Sequence, residues 1–267
     1  RWRSCRHYQM NKVDNDLLKE KIKRSISRLK EFEPADGYYL AFSGGKDSCV
    51  LLELAKRAGV KFDAHYSVTT IDPPELVQFI RRFHPEVKFE RPKKPLLVEL
   101  VSRGFPMRQS RWCCEIYKEG GGAGRFVLLG VRNAESFNRS KRKMVEFCDT
   151  KGKRMLNPII DWTEDEVWSF IRSNNIPYCK LYDEGAKRIG CVFCPQAYFK
   201  RRLDEARRYP RFVTAFIKYF NKLYENRKSR GMKSVDRWAN GEDMFWWWLG
   251  GAKTTPQAIK DYVKGVN

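Results

Sequence analysis

Ser43-Gly44-Gly45-Lys46-Asp47-Ser48 lies between two apolar runs, YYLAF at 38–42 and VLLEL at 50–54. A strand that turns through paired glycines into a helix aims several backbone N–H groups and the positive end of the helix dipole at one spot, which suits an anion. Gly44 and Gly45 let the backbone approach a phosphate closely, Ser43 and Ser48 add hydroxyl donors, and Lys46 adds charge. Asp47 is the odd member, and a carboxylate beside phosphates is explained most simply by Mg²⁺. A plain strand-to-helix turn is the alternative reading, and the G-x-x-x-x-G-K-[ST] spacing of a Walker A loop is absent.

A second set of reactive side chains is formed by cysteine. Of eight cysteines, at 5, 49, 113, 114, 148, 179, 191 and 194, four fall into two tight groups, Cys113-Cys114 and Cys191-x-x-Cys194. Four thiolates so grouped favour a metal site over inert thiols. Zinc prefers two arms of the C-x₂₋₄-C kind, which a vicinal pair fits poorly. A [4Fe–4S] cluster takes four thiolates on separate irons, so adjacent cysteines can reach different corners. Zinc, redox-active thiols and inert thiols remain the alternatives. Trp112, Phe193 and Pro195 are placed to keep such a site dry, and Cys49, among apolar residues, reads as packing.

The elements that must hold these groups follow from periodicity. Residues 13–30 carry Val13, Leu17, Leu18, Ile22, Ile26 and Leu29 at helical spacing. Strands are expected at 38–42, 61–68, 87–90 and 126–131, and helices at 47–58, from Pro73-Pro74 through Phe83, and at 95–103. That alternation predicts an α/β fold with a parallel sheet. Residues 139–154 read as a basic run with a turn at Lys151-Gly152-Lys153. Thr163 and Glu166 have the capping-box spacing ahead of the inward positions Val167, Trp168, Phe170 and Ile171. The chain reads as helical from Tyr198, with a break at Pro210.

Composition sets bounds. The 267 residues, 42% hydrophobic and 14% aromatic, can bury a real core, expected as one large domain with appendages. The formal net charge of +21 favours a polyanionic partner, nucleic acid first, with a basic nucleotide-handling enzyme as the plainer reading. On the helix from Arg211, the residues Phe212, Val213, Phe216, Ile217, Phe220, Leu223 and Tyr224 share one face, with Arg211, Lys218 and Lys222 opposite. That basic stripe reads as a nucleic-acid rail or as a solvated surface. Trp246-Trp247-Trp248 offers rings for bases, but at least two of the three are expected to pack inside. No membrane span and no secretory pattern is read, so a cytoplasmic location is expected and a disulfide framework is not.

SGGKDS after a strand is similar to the PP-loop of the adenine nucleotide α-hydrolase-like superfamily. Arg111-Trp112-Cys113-Cys114, GVRNAESFNR (130–139), NPIIDWTEDEVW (157–168), IPYCKLYDEG (176–185) and RIGCVFCP (188–195) resemble, in order, the phosphoadenosine phosphosulfate (PAPS) reductase family. The resemblance implies a parallel-sheet PP-loop domain at 37–195, after a helical extension at 1–36 and before a helical region at 196–267. It implies that Ser43, Gly44, Gly45, Lys46, Asp47 and Ser48 hold the phosphates of an adenine nucleotide. Arg132 and Arg139, beside a strand end, suit bidentate phosphate contact, with a surface position or a pairing to Glu135 as the alternative. The paired and CxxC cysteines resemble the cluster-binding sulfonucleotide reductases, which implies Cys113, Cys114, Cys191 and Cys194 as [4Fe–4S] ligands.

Two departures direct the functional expectation. Reductases of this family attack sulfur with a cysteine thiolate in a C-terminal tail, and no cysteine follows Cys194 here. The loop is also in the full form expected for ATP cleavage. The expected function is therefore an ATP pyrophosphatase using ATP and Mg²⁺, with Lys46, Asp47, Arg132 and Arg139 as the reacting set. It would serve sulfur transfer to DNA or tRNA, drawing on a sulfur donor such as a cysteine desulfurase. The alternative is a PAPS or adenylyl-sulfate reductase working with thioredoxin, and a third class is a nucleotide-sensing nucleic-acid binder.

Overall fold

A computed structural model describes residues 15–148, 152–250 and 255–265; Cys5, Val13 and Lys151, named above, lie outside the described residues. In chain order its helices and strands begin with α1 (Asn15–Glu31), β1 (Tyr38–Ala41), α2 (Lys46–Ala58), β2 (Phe62–Ser67), α3 (Pro74–Phe83) and β3 (Lys88–Glu90). Then come α4 (Leu96–Arg103), α5 (Trp112–Tyr117), β4 (Phe126–Leu128), α6 (Phe137–Ser140), β5 (Val145–Cys148), β6 (Lys153–Leu156) and α7 (Glu164–Ser173). The last four helices are α8 (Phe199–Arg208), α9 (Pro210–Ser229), α10 (Gly241–Gly250) and α11 (Pro256–Lys264).

The chain divides into two compact units. The first takes the segments up to Ser67, Glu75–Glu90 and Gly121–Ile189; the second takes Val68–Pro74, Arg91–Gly120 and the chain from Gly190. Each unit is discontinuous along the chain. The segment 91–120 contributes Leu96, Leu100 and Tyr117 to a core made mostly by the C-terminal helices, and burial rather than chain order sets the division.

The first unit is built on a six-stranded sheet ordered β3-β2-β1-β4-β6-β5, in which every pair is parallel except β5 with β6. The expected α/β class is met. The apolar run at 38–42 yields a strand because Tyr38 and Leu40 have no exposed surface and Tyr39 almost none, as for a strand covered on both faces. Strand β4 stops at Leu128, short of the expected 131, where Gly130 packs so tightly that a Cβ there would lie 3.0 Å from the Asp47 carbonyl oxygen. The basic run at 139–154 carries the end of α6 and the antiparallel strands β5 and β6, with Phe147 opposite Arg154, on either side of the expected turn. Its alternating apolar residues are sparse and masked by lysines and arginines, which is why periodicity alone did not reveal strands.

Helix α1 is tied to the turn between β6 and α7 by polar contacts as well as its apolar face. The buried Ser25 hydroxyl donates to the Pro158 carbonyl (3.0 Å) and accepts from Trp162 Nε1 (3.1 Å), and Arg28 reaches Asp161 at 2.8 Å. The capping box at α7 forms as its spacing predicts: Glu166 N–H donates to Thr163 Oγ1 and Thr163 N–H donates to the Glu166 carboxylate. Val167, Phe170 and Ile171 are buried behind it, whereas Trp168 is half-buried against Tyr178 and Tyr182.

The second unit is an aromatic-rich helical core. Phe216, Phe220, Phe245 and Trp248 are buried, and the Phe216 and Trp248 rings stack at 5.7 Å. Pro210 opens α9 at its first turn, where its missing N–H costs nothing. Trp246 and Trp248 are buried and Trp247 is half-buried, while Arg211, Lys218 and Lys222 are exposed on the opposite side of α9 from its apolar face. Among the described residues no helix is long and apolar enough to cross a membrane.

Candidate functional site

The loop at 43–48 sits between β1 and α2, in the first unit. Gly44 has φ +69, and a Cβ there would lie 2.6 Å from Leu76 Cδ1 and 2.8 Å from Ile80 Cδ1, so this position needs glycine for both backbone and space. Gly45 is the N-cap of α2 and makes no side-chain cap. The first-turn N–H groups of α2 therefore point outward without intrahelical acceptors. The two serines brace the turn: Ser43 Oγ donates to Ser48 Oγ (3.1 Å), which donates to the Gly45 carbonyl (2.8 Å). The Lys46 N–H donates to the Tyr182 hydroxyl at 3.0 Å. Burial raises the pKa of that phenol, the Lys46 N–H opposing and Asp47 adding to the rise, so it stays protonated.

Charge is concentrated here. Lys46 is 4% exposed and Arg132 1% exposed, and both face Asp47: Arg132 Nε is 2.5 Å from Oδ1 and Lys46 Nζ 3.4 Å from Oδ2. Lys46 Nζ also lies 3.9 Å from a Glu164 oxygen and over the Tyr182 ring. Arg139 makes its ion pair with Glu135 rather than with Asp47, although the Asp47 charge still acts on it. Its Nη1 pairs with Glu135 at 2.6 Å, and the same carboxylate accepts the Arg132 N–H. The structure thus brings Ser43, Gly44, Gly45, Lys46, Asp47, Ser48 and Arg132 together, and Arg139 takes the Glu135 pairing that was the alternative for it. Burial lowers the Arg139 pKa, opposed by Glu135, while Arg188 adds to the lowering.

Asp47 is thus held by two cations rather than left open. Mg²⁺ needs only one or two protein carboxylates when phosphates complete its shell. Asp47 therefore fits as its protein ligand once phosphates have taken over Lys46 and Arg132.

The four cysteines of the second unit line one small cavity, of about 30 Å³, whose other walls include Ile71, Pro106, Phe193, Pro195 and Trp248. Phe193 and Pro195 keep it apolar as expected, and Trp112 is not among the lining residues. Cys113 and Cys114 share the first turn of α5, a helix the sequence reading did not foresee because six residues carry too little periodicity. Cys113 donates to Cys114, which raises the first thiol, burial adding to it. The same bond lowers Cys114, with Arg111 and Lys118 helping against burial. Burial pushes Cys191 up, opposed by Lys118 and by hydrogen bonds from Thr69 and Lys118.

Among the described residues no three His, Cys, Asp or Glu side chains are grouped so as to hold one metal ion. Cys113, Cys114, Cys191 and Cys194 share that cavity, and four thiolates are the donor type of an iron–sulfur cluster. Four thiolates are also the donor type of a structural zinc site, which keeps zinc as the alternative occupant. Cys49 and Cys179 are buried and their thiols pushed up by burial, which fits packing, and Cys148 is half-buried.

Three contributors went unread in the sequence. Tyr182 lies in a stretch already singled out, but nothing local signals that its hydroxyl meets a residue 136 positions away. Lys118 follows Cys114 by four residues, a helical spacing that could have flagged it. Glu205 accepts the Phe193 N–H at 2.7 Å within the Cys191–Cys194 turn, a contact invisible without the fold.

The chain matches the model of the phosphoadenosine phosphosulfate reductase domain over residues 37–197. It is 34% identical over 171 residues to the uncharacterised protein MJ0066 of Methanocaldococcus jannaschii, covering 58% of this chain but only 35% of that protein's length. It is 31% identical to the adenosine 5′-phosphosulfate reductase of Allochromatium vinosum, over 69% of this chain and 78% of the relative. Among solved structures it is similar to phosphoadenylyl-sulfate reductase from Candida auris, with a TM-score of 0.51, 18% identity and coverage of 69% of this chain and 98% of that one. A nucleotide-ready loop on a parallel sheet, with a family match over more than half the chain, places this protein in the phosphoadenosine phosphosulfate reductase domain family.

Proposed function

We propose that this chain is an adenylating PP-loop enzyme that splits ATP between the α and β phosphates and serves sulfur transfer to nucleic acid, DNA or tRNA. The carrying observation is the loop's charge arrangement: buried Lys46 and Arg132 converge on one carboxylate, Asp47, at the N-terminus of α2. A polyphosphate compensates both cations and frees Asp47 for Mg²⁺, whereas a nucleotide handled without the metal leaves that carboxylate facing phosphate. In the reaction an acceptor oxygen attacks the α-phosphorus, the α–β bridging bond breaks, and pyrophosphate leaves with the bonding electron pair. Lys46 and the first-turn amides of α2 stabilise charge on the departing phosphates, and Arg132 orients the nucleotide. Mg²⁺, when bound, neutralises phosphate charge.

Cys113, Cys114, Cys191 and Cys194 are the residues that would hold a [4Fe–4S] cluster, supported by their sharing one apolar cavity. Such a cluster supplies electron transfer or a site for sulfur. The sulfur itself comes from a donor such as a cysteine desulfurase. The net charge of +21 supports a nucleic-acid acceptor.

A second reading is favoured by the relative named adenosine 5′-phosphosulfate reductase: release of sulfite from adenylyl sulfate or PAPS with thioredoxin. The two are separated by incubating anaerobically purified protein with ATP and Mg²⁺, and separately with each sulfonucleotide and reduced thioredoxin. AMP and pyrophosphate from ATP are expected. Sulfite from a sulfonucleotide with ATP left intact would reject adenylation in favour of reduction.

A further inference from the structure

Among the described residues of the first unit, the two most exposed phenylalanine rings belong to α6 and β5. Phe137 on α6 is 76% exposed and Phe147 on β5 is 62% exposed. One exposed apolar side chain is ordinary, but each of these rings is accompanied by cations. Lys141 Nζ lies 4.5 Å from the Phe137 ring centroid. Phe147 stands directly opposite Arg154 in the antiparallel register, where facing side chains are neighbours. Lys141, Lys143 and Arg154 are all exposed, whereas Arg139 and Arg142 are taken up by Glu135 and Glu146. Residues 139–154 hold seven Lys and Arg against Glu146 and Asp149. Strand β5 ends the sheet order, and edge strands are commonly blunted by charge alone. Here the charge comes with a ring that gains nothing from solvent.

We infer that α6 and the β5–β6 hairpin bind a single-stranded segment of nucleic acid, its bases stacked on Phe137 and Phe147 and its phosphates against Lys141, Lys143 and Arg154. Flat rings interleaved with cations match the alternation of base and phosphate in a single strand. A duplex keeps its bases stacked inside, and an acidic peptide supplies charge without flat faces. The face is also joined to the nucleotide loop. Arg139 of α6 pairs with Glu135, Glu135 accepts the Arg132 N–H, and Arg132 holds Asp47. A strand seated here is thereby held beside the adenylating loop; that role rests on the proposed function, while the binding itself does not.

The test is fluorescence anisotropy with a labelled single-stranded DNA, the RNA of the same sequence and the matching DNA duplex, over a range of salt. Phe137→Ala with Phe147→Ala is expected to weaken single-strand binding about 10- to 100-fold, with the salt dependence unchanged. Gln at Lys141, Lys143 and Arg154 is expected to lower the slope of log K against log salt by about 2. Gln at Lys218 and Lys222, exposed cations of α9, is the control and is expected to change affinity less than about twofold. Both rings stand in solvent, so their truncation leaves the melting temperature unchanged and a loss of binding is not a loss of fold. Binding of the Phe137→Ala, Phe147→Ala variant within about twofold of the parent would overturn the inference. So would equal loss from the α9 control, duplex bound as tightly as single strand, or no binding of any oligonucleotide at low salt. Failure of the adenylation reading shows separately, as absence of pyrophosphate release from ATP by the unsubstituted protein.

Discussion

Arg132 is the residue whose replacement tests the nucleotide loop most directly. Its side chain is 1% exposed and ends 2.5 Å from Asp47 Oδ1, with Asp47 itself 18% exposed. Removing one partner of a buried ion pair costs about 3–5 kcal/mol, because the remaining charge loses its compensation without regaining water. Here Lys46 Nζ stays 3.4 Å from the other Asp47 oxygen, so Arg132→Met belongs at the low end, about 3 kcal/mol. At roughly 2–4 °C per kcal/mol for a unit of this size, the melting temperature falls by roughly 6–12 °C. Asp47→Asn strands Arg132 with little beyond the Trp162 carbonyl at 3.4 Å and is expected to cost a comparable amount. Since each single change leaves the other charge exposed to the same loss, the double variant should be more stable than the sum predicts, with a coupling of about 1–3 kcal/mol. Urea melts of the four proteins give that coupling. Adding ATP and Mg²⁺ gives the second readout: the parent is stabilised by ligand, and Arg132→Met is not. Additivity within about 0.5 kcal/mol would refute the pair, and an undiminished ATP shift in Arg132→Met would remove Arg132 from the nucleotide site.

Gly44→Ala, which combines a positive φ with a Cβ driven against Leu76 and Ile80, is expected to lower stability by about 2–4 kcal/mol and to abolish ATP-induced stabilisation, both read by thermal melts. Cys191→Ser is expected to remove bound iron and visible colour from protein purified without oxygen; zinc without iron in the parent would reject the cluster. Glu205→Ala, which leaves the Phe193 N–H without its acceptor, should shorten the lifetime of the cluster absorbance in air, and Glu205→Gln should restore it. Burial lowers the pKa of His84 from its ordinary 6.5, with Glu86 opposing and Lys56 adding. The native state therefore binds the proton less readily than the unfolded chain, so stability is full above about 6.5 and declines as pH falls below it. His84→Leu is expected to flatten the fall in melting temperature between pH 7.5 and 5.5, and an unchanged profile would assign that fall to other groups.

What was legible in the sequence had local causes. The turn at Gly44-Gly45, the capping box at Thr163 and the apolar face of α9 are each written within one turn or two of the chain, and each forms. Cys113, Cys114, Cys191 and Cys194, far apart in the chain as two pairs, line one cavity. What failed to show depends on distance or brevity. The β5–β6 hairpin was hidden because its apolar positions are outnumbered by cations, and α5 because six residues make less than two turns.

Asp47 illustrates the limit of reading a motif one residue at a time. Within SGGKDS its carboxylate is explained most simply by a metal, since its neighbours in the loop can donate hydrogen bonds to phosphate. In the fold it has a second purpose, as the anion that permits Arg132 and Lys46 to be buried at 1% and 4% exposure without a ligand. On the proposed function the two roles would exclude each other in time: the carboxylate would compensate the cations until phosphates arrive and would pass to Mg²⁺ when they do. A loop working this way would become metal-competent only when loaded with phosphates. Mg²⁺ alone should then bind weakly, and its affinity should rise when a nucleotide with a free polyphosphate is present. Isothermal titration with Mg²⁺ alone, with AMP and with a non-hydrolysable ATP analogue measures that dependence, and equal Mg²⁺ affinity in all three would show that Asp47 does not exchange partners.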